Sequence, residues 1–317
     1  SSLITRIKDG EQTTFDLLLG VFFIVIIGSL ITMIGYYMKG LRGSPRELFL
    51  LYFTKLTEYS AYGAASYAFV LYLAEDVGIG FKAGAAYYTV FTLTMSIVVI
   101  IVGSLCDAIG IKKSLLIGSF MLLTARVFMP LSTNIVVITL LGFLPMAIGT
   151  ALTGPVLKVG IKKFTTVESA TLGFGLFYTI MNIGFAIGGW MFDYVREMFG
   201  ETGGATLPIL GWDISTYQVI FLIGFFINIP DLIAILLMRE GAEMTENGAV
   251  INPPKKKDNS VIDNLLAKGY SSRLAAMKKE SLRGLIAFAV VATIAYQLDA
   301  AGYSAQGNLW LWAVISM

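Results

Sequence analysis

The sequence contains no histidine and a single cysteine, Cys106. Without a second thiol no disulfide can close within the chain. With no imidazole and one thiol, the usual ligand sets for zinc or haem and the usual cysteine nucleophile with its base cannot be assembled. Charge is scarce as well: Lys, Arg, Asp and Glu make up 14% of the 317 residues, against 56% apolar. No Asn-x-Ser/Thr acceptor, Gly-rich phosphate loop or Gly-x-Ser-x-Gly turn occurs, so a nucleotide-driven pump and an esterase find no support. Nor is there a basic-aromatic stretch of the kind that binds nucleic acid. We expect no enzyme activity, no metal and no cofactor.

What the chain has in abundance is apolar runs near twenty residues, the length of a helix crossing the hydrocarbon core of a bilayer. They fall at 15–38, 48–74, 85–106, 114–131, 135–157, 168–192, 216–239 and 284–303, with another beginning at Leu309. This pattern predicts an all-α polytopic membrane protein, integral to the membrane and multi-pass, with the lipid bilayer as its first partner. The first run is too long for a signal peptide, lacks a small-residue cleavage site and is followed by positive charge, so it reads as a true span. The chain opens without Met and stops inside an apolar run, which reads as a piece of a longer polypeptide.

Loop charges orient the spans. Lys39, Arg42 and Arg46 precede the second span, Lys112 and Lys113 follow the third, Lys158, Lys162 and Lys163 follow the fifth, and nine Lys/Arg lie from Arg239 to Arg283. The alternate loops, near Glu75 and Asp76, 131–134 and 193–213, are neutral or acidic, so the basic set is expected in the cytoplasm and the N-terminus outside. The polar stretch after Arg239 reads as a linker, and residues 261–280 as an amphipathic helix on the membrane face. The expected organisation is an extra N-terminal transmembrane helix with its connector (1–47), a six-helix bundle (48–239), a cytoplasmic linker with the amphipathic helix (240–283) and the start of a second bundle (284–317). Six helices, a linker and further helices is a common transporter plan.

Between two apolar runs stands a polar knot, "GSLCDAIGIKK", residues 103–113. It resembles the Gly-x-Leu-x-Asp-Arg-x-Gly-Arg-Arg/Lys signature of the major facilitator superfamily, with Gly103, Leu105, Asp107, Gly110, Lys112 and Lys113 in register. Ala108 and Ile111 depart from it. The resemblance implies two six-helix bundles with a solute site between them, and a gating role for Gly103, Asp107, Gly110, Lys112 and Lys113 in latching the halves. Two further stretches resemble the proton-coupled oligopeptide transporter branch. In "EYSAYGAASYAFVLYL" the positions Tyr59, Ser60, Tyr62, Gly63 and 71–73 match its first helix, and in "FYTIMNIGFAIGG" Phe177, Tyr178, Asn182 and Gly184 match its fifth. The coupling residues do not match: Thr54, Thr57 and Glu58 occupy the Glu, Glu and Arg places, and Gly154 stands where the branch has a lysine. Peptide transport is therefore not expected.

A charged side chain at the bilayer centre costs about 2.5–3.5 kcal/mol on insertion scales, so each asks for a partner or a hydrated cavity. Tyr52, Lys55, Tyr59, Tyr62 and Ser66 repeat at 3,4,3,4 and share one helix face, expected to front a cavity, with Glu58 three residues from Lys55. Lys55 and Glu58 either form an internal ion pair or contact solute or proton. Arg126 can bind an anion, snorkel, or pair with a carboxylate on a neighbouring helix, and pairing is the preferred reading. Asp231, after Pro230, lines the cavity or caps a break in its helix. Asp299 serves binding or the membrane interface. Tyr178 and Asn182 sit four apart on one face, and Gly184 and Gly188 let backbones approach. Two functions follow. One is a secondary active transporter of a small solute by alternating access, coupled to an ion or proton. The other is a degenerate, transporter-like structural or assembly subunit that meets other membrane subunits.

Overall fold

A computed structural model describes residues 14–200, 203–207, 211–246 and 248–251. Seven helices account for most of them: α1 (Thr14–Gly40), α2 (Arg46–Leu71), α3 (Phe81–Ile109), α4 (Ile111–Leu131), α5 (Ile135–Phe164), α6 (Ala170–Phe199) and α7 (Thr216–Leu237). Each overlies one of the first seven apolar runs, and five of them are long and apolar enough by themselves to cross a bilayer. The eighth run, the expected amphipathic helix and the start of a second bundle lie outside the described residues.

The helices outrun the apolar segments because charged turns continue them. Lys158, Lys162 and Lys163, expected in a loop, lie within α5 and not beyond its end. Two helices carry a π turn, Tyr72–Asp76 extending α2 and Ile138–Phe143 early in α5. The expectation of an all-α chain needs one correction. Two short antiparallel hairpins lie outside the helices, β1 (Gly204–Leu207) with β2 (Trp212–Ser215), and β3 (Ala242–Thr245) with β4 (Gly248–Ile251), the latter inside the stretch read as a linker. Four-residue strands give too short an alternation to be read from sequence.

Chain turns gather at two ends. At one end α3 passes to α4 through Gly110, whose φ of +89° is a backbone state that glycine tolerates and other residues resist. There Lys112 Nζ donates to the Leu236 carbonyl at 2.9 Å and Arg46 Nη2 to the Leu237 carbonyl at 2.8 Å, placing cations on the last turn of α7 where the helix dipole is negative. Glu47, fully buried, accepts from Arg239 Nε at 2.6 Å and Nη2 at 3.0 Å. At the other end the Tyr72 hydroxyl donates to the Met129 and Ser132 carbonyls, Thr216 donates to the Gly200 carbonyl, and Ser215 donates to Asp76 while capping α7. The basic loops thus share one end of the bundle, as the charge pattern predicts.

Two apolar clusters fill α2–α7. One, near the basic end, includes Leu48, Leu51, Leu115, Leu157, Ile161 and Ile235. The other, near the opposite end, includes Phe69, Tyr72, Phe91, Leu122, Phe143 and Phe221. The tightest seam joins α2 to α6. A Cβ on Gly188 would stand 2.6 Å from the Ser60 carbonyl oxygen and 2.7 Å from the Ala64 nitrogen, so only hydrogen fits.

Candidate functional site

Between the two apolar clusters lies a layer of buried polar side chains. α2 contributes Thr54, Lys55 and Glu58, α4 Ser119 and Arg126, α5 Thr150 and Thr153, and α7 Asn228 and Asp231, none of them more than 9% exposed. Four helices converge there because small residues let them approach. Gly118 of α4 and Gly149 of α5 meet closely beside Thr153 and Leu122. A Cβ on Gly224 of α7 would lie 3.3 Å from Arg126 Nε, so that glycine makes room for the guanidinium.

The hydrogen bonding of the layer is incomplete. Thr153 donates to Glu58 Oε1, and Ser119 donates to Asp231 Oδ2 at 3.2 Å. The second oxygen of Glu58, Oε2, has no hydrogen-bond partner among the described residues, and Asp231 has the Thr54 hydroxyl as a further neighbour. Arg126 Nε, Nη1 and Nη2, both polar atoms of the Asn228 amide and the hydroxyl of Thr150 likewise lack a hydrogen-bond partner among the described residues. An unmet buried polar group costs about 1–3 kcal/mol, and more when charged. Buried groups in this state call for a further partner, such as water or an ion.

The sequence-predicted residues divide between this layer and its flanks. Arg126, for which pairing with a carboxylate was the preferred reading, lies within electrostatic reach of Glu58 on α2 and Asp231 on α7 but forms no ion pair or hydrogen bond with either among the described residues. Lys55 makes no direct ion pair with Glu58 among the described residues. Its ammonium instead lies 3.2 Å from the Tyr59 ring centroid and 4.3 Å from that of Phe177, a cation–π seat. The tyrosine stripe, expected to front a cavity, is packed against α6. Tyr59 and Tyr62 meet the Phe185 ring at 5.0 and 6.0 Å, and Tyr52 donates to the Gly173 carbonyl at 2.9 Å. Tyr178 is 45% exposed and Asn182 is exposed on the same helix, its amide donating to the Tyr178 carbonyl. Gly103 and Asp107 belong to α3 by their backbone, and their side chains lie outside the described set. Asp299 lies outside the described residues altogether.

Sequence reasoning overlooked Ser119, Thr150, Thr153 and Asn228 as members of the site. Threonine and serine are ordinary in membrane helices, where they bond back to their own turn, so their type carries little signal. The spacing does: Thr150 with Thr153, and Asn228 with Asp231, are each three apart and share a face.

Apolar helices of bilayer length around a buried polar layer define an integral, multi-pass membrane protein. Residues 48–315 match the family model of the Major Facilitator Superfamily, and the chain belongs to that family. Its members are transporters, generally secondary ones, and not enzymes. No curated protein sequence matches the chain. Helix α1 precedes the matched region.

Proposed function

We propose that the protein is a secondary active transporter that moves a small solute by alternating access, driven by an ion or proton. The observation that supports this most is the polar layer: charged and unsatisfied groups inside a membrane bundle are costly and mark pathways for ions or solutes. In this reading Glu58, Arg126 and Asp231 handle the coupling ion. Tyr178, Asn182, Lys55 and Asp299 are the candidate contacts for the solute, and Tyr59 and Tyr62, packed against α6, join them only if α6 moves from α2. Asp107, Gly103, Gly110, Lys112 and Lys113 form the gate between states, and the Lys112 tie to the end of α7 is a contact such a gate would use.

The solute is smaller than a dipeptide. Where the peptide branch has its helix-one carboxylates and arginine, this chain has Thr54, Thr57 and Glu58, and it has Gly154 at the lysine place. Lys55 is a cation in another position, seated on aromatic rings, so peptide termini would not be met at their own separation. In proteoliposomes under an imposed proton gradient, di- and tripeptides should not accumulate, while a panel of smaller solutes should include one taken up saturably and lost with Glu58→Gln. Gradient-driven peptide uptake would restore the peptide branch. Absence of any flux would favour the second reading, a transporter-like structural subunit. That reading draws on α1, an apolar helix outside the matched region with its hydrophobic side chains exposed, which suits contact with other membrane subunits.

A further inference from the structure

Lys55 is a cation buried in the seam between α2 and α6, 1% exposed. Near the basic end of that seam Tyr52 donates to the Gly173 carbonyl. Further along, the contacts are rings and glycine backbone: Tyr59 and Tyr62 on Phe185, and Gly184 and Gly188 on the Leu56 and Ser60 backbone. Surfaces of that kind can part without leaving polar groups unmet. The ammonium of Lys55 is different, because the two rings it rests on belong to different helices: Tyr59, at 3.2 Å, to α2 itself and Phe177, at 4.3 Å, to α6. Parting α6 from α2 takes one ring from the cation, and a buried charge stripped of a partner is costly.

A second seat stands along the same helix. Glu58 is three residues from Lys55, so the two side chains spring from neighbouring points of the α2 surface and can meet by rotation about their own bonds, with no movement of the backbone. One Glu58 oxygen, Oε1, is taken by the Thr153 hydroxyl; the other, Oε2, is buried with no hydrogen-bond partner among the described residues. Lys55 already acts on Glu58 more strongly than Arg126 does. Lys158 of α5, 6.0 Å from the Tyr178 ring, repels the Lys55 ammonium, so the ring seat is held against a like charge.

We propose that Lys55 is a two-position switch between the seam and Glu58: its ammonium rests on Tyr59 and Phe177 while the seam is closed, and moves to Glu58 Oε2 when Phe177 withdraws with α6. A charge-assisted hydrogen bond then replaces a cation–π contact. The motion that frees Tyr59 and Tyr62 for a solute thereby changes the partner of a carboxylate assigned to the coupling ion. Lys55 is a positioning residue that acts through Glu58. The switch rests on the transport reading above for its use, but the exchange of partners is a property of the seam.

Thiol reactivity inside the seam tests it. Ser60 is 4% exposed and its backbone lies against Gly184 and Gly188. In a Cys106→Ser background, Ser60→Cys should react with uncharged methyl methanethiosulfonate through openings of the seam, at a rate that follows the open fraction. In the purified full chain in lipid nanodiscs, without solute, Phe177→Leu weakens the closed seat and should raise that rate about five- to tenfold, the worth of one desolvated cation–π contact. Glu58→Gln removes the open seat and should lower the rate by a similar factor. In a Lys55→Met background, where the side chain keeps its bulk and loses its charge, both changes should vanish. Should one of the two variants fail to yield monodisperse protein, the other decides alone through its dependence on Lys55. A rate that neither variant moves, changes in the same direction, or changes that persist without Lys55 overturn the proposal. A cycle that behaves as described in a protein that moves no solute would sink the transport reading and leave the switch standing, whereas solute uptake with a failed cycle would sink the switch alone.

Discussion

Replacing Glu47 by Gln should loosen the basic end of the bundle by a calculable amount. Its carboxylate stands in the first turn of α2, just before the membrane-spanning residues, and is fully buried, whereas the side chains it binds are not: Arg239 is 42% exposed and Arg46 57%. Hydrogen bonds to a charged group are worth about 1.5–3 kcal/mol each when desolvated, while exposed ion pairs contribute about 0–1 kcal/mol. Two bonds from Arg239 and a longer one from Arg46 at 3.3 Å, with the arginine ends half in water, give about 2 kcal/mol for the loss of the charge. Burial works to raise the Glu47 carboxyl, but the bonds from the Arg239 side chain, from backbone N–H groups and from Arg46 outweigh it and hold it at about 2, against an ordinary 4.5. A carboxyl depressed in the folded state stabilises above its unfolded value, and that contribution is lost as pH falls through the folded one. The assay is thermal unfolding of purified protein from pH 7 down to pH 2. The wild type should lose its advantage over Glu47→Gln between about pH 4.5 and 2, and the two curves should converge at the acid end. A constant gap between them, or none at pH 7, would refute the reasoning.

Gly188→Leu should push α2 from α6 and cost at least about 1–3 kcal/mol, the usual penalty for overpacking, read as a lowered midpoint of thermal unfolding; an unchanged midpoint would mean the helices are not in backbone contact there. Tyr72→Phe leaves the Met129 and Ser132 carbonyls without their hydroxyl donor and should cost about 1 kcal/mol in the same measurement. In a Cys106→Ser background, cysteines placed at Lys113 and Asp213 should react with a membrane-impermeant thiol reagent from opposite sides of the membrane, and labelling from one side would overturn the assigned topology.

The helices were legible because a run of about twenty apolar residues has few alternatives in a chain with so little charge, and six of the seven lie in the region that matches the family. Their ends were not, because Lys158 to Lys163 are polar enough to read as loop yet continue α5 on its water-facing turns. The charged members of the site were legible for the same reason that they are expensive: Lys55, Glu58, Arg126 and Asp231 interrupt apolar runs. What could not be read was the side each one takes. Lys55 and Glu58 are three apart, a spacing that suits either an ion pair or a shared solute or proton contact, but their difference in helical phase sends Lys55 to the aromatic rings beside α6 and Glu58 to Thr153 on α5. The tyrosine stripe shares one face by its spacing, but its expected cavity is not seen there, and tertiary packing covers Tyr52, Tyr59 and Tyr62 with α6. The clamp of Glu47 on Arg239 joins residues 192 apart, a pairing that no local pattern encodes.

Among the described residues, helix α1 touches the bundle near one end, where the Tyr37 ring lies over Gly175 and Leu172 crowds Gly40. Its 27 residues make a rod of about 40 Å, against about 30 Å of hydrocarbon. A membrane-crossing rod longer than the hydrocarbon slab and held at one end leans until its apolar length is matched, and matching costs fractions of a kcal/mol per Å. If α1 crosses the bilayer, its angle follows the thickness of the host membrane, thin bilayers tipping it and thick ones drawing it upright, and Tyr37 against Gly175 is the contact nearest that motion.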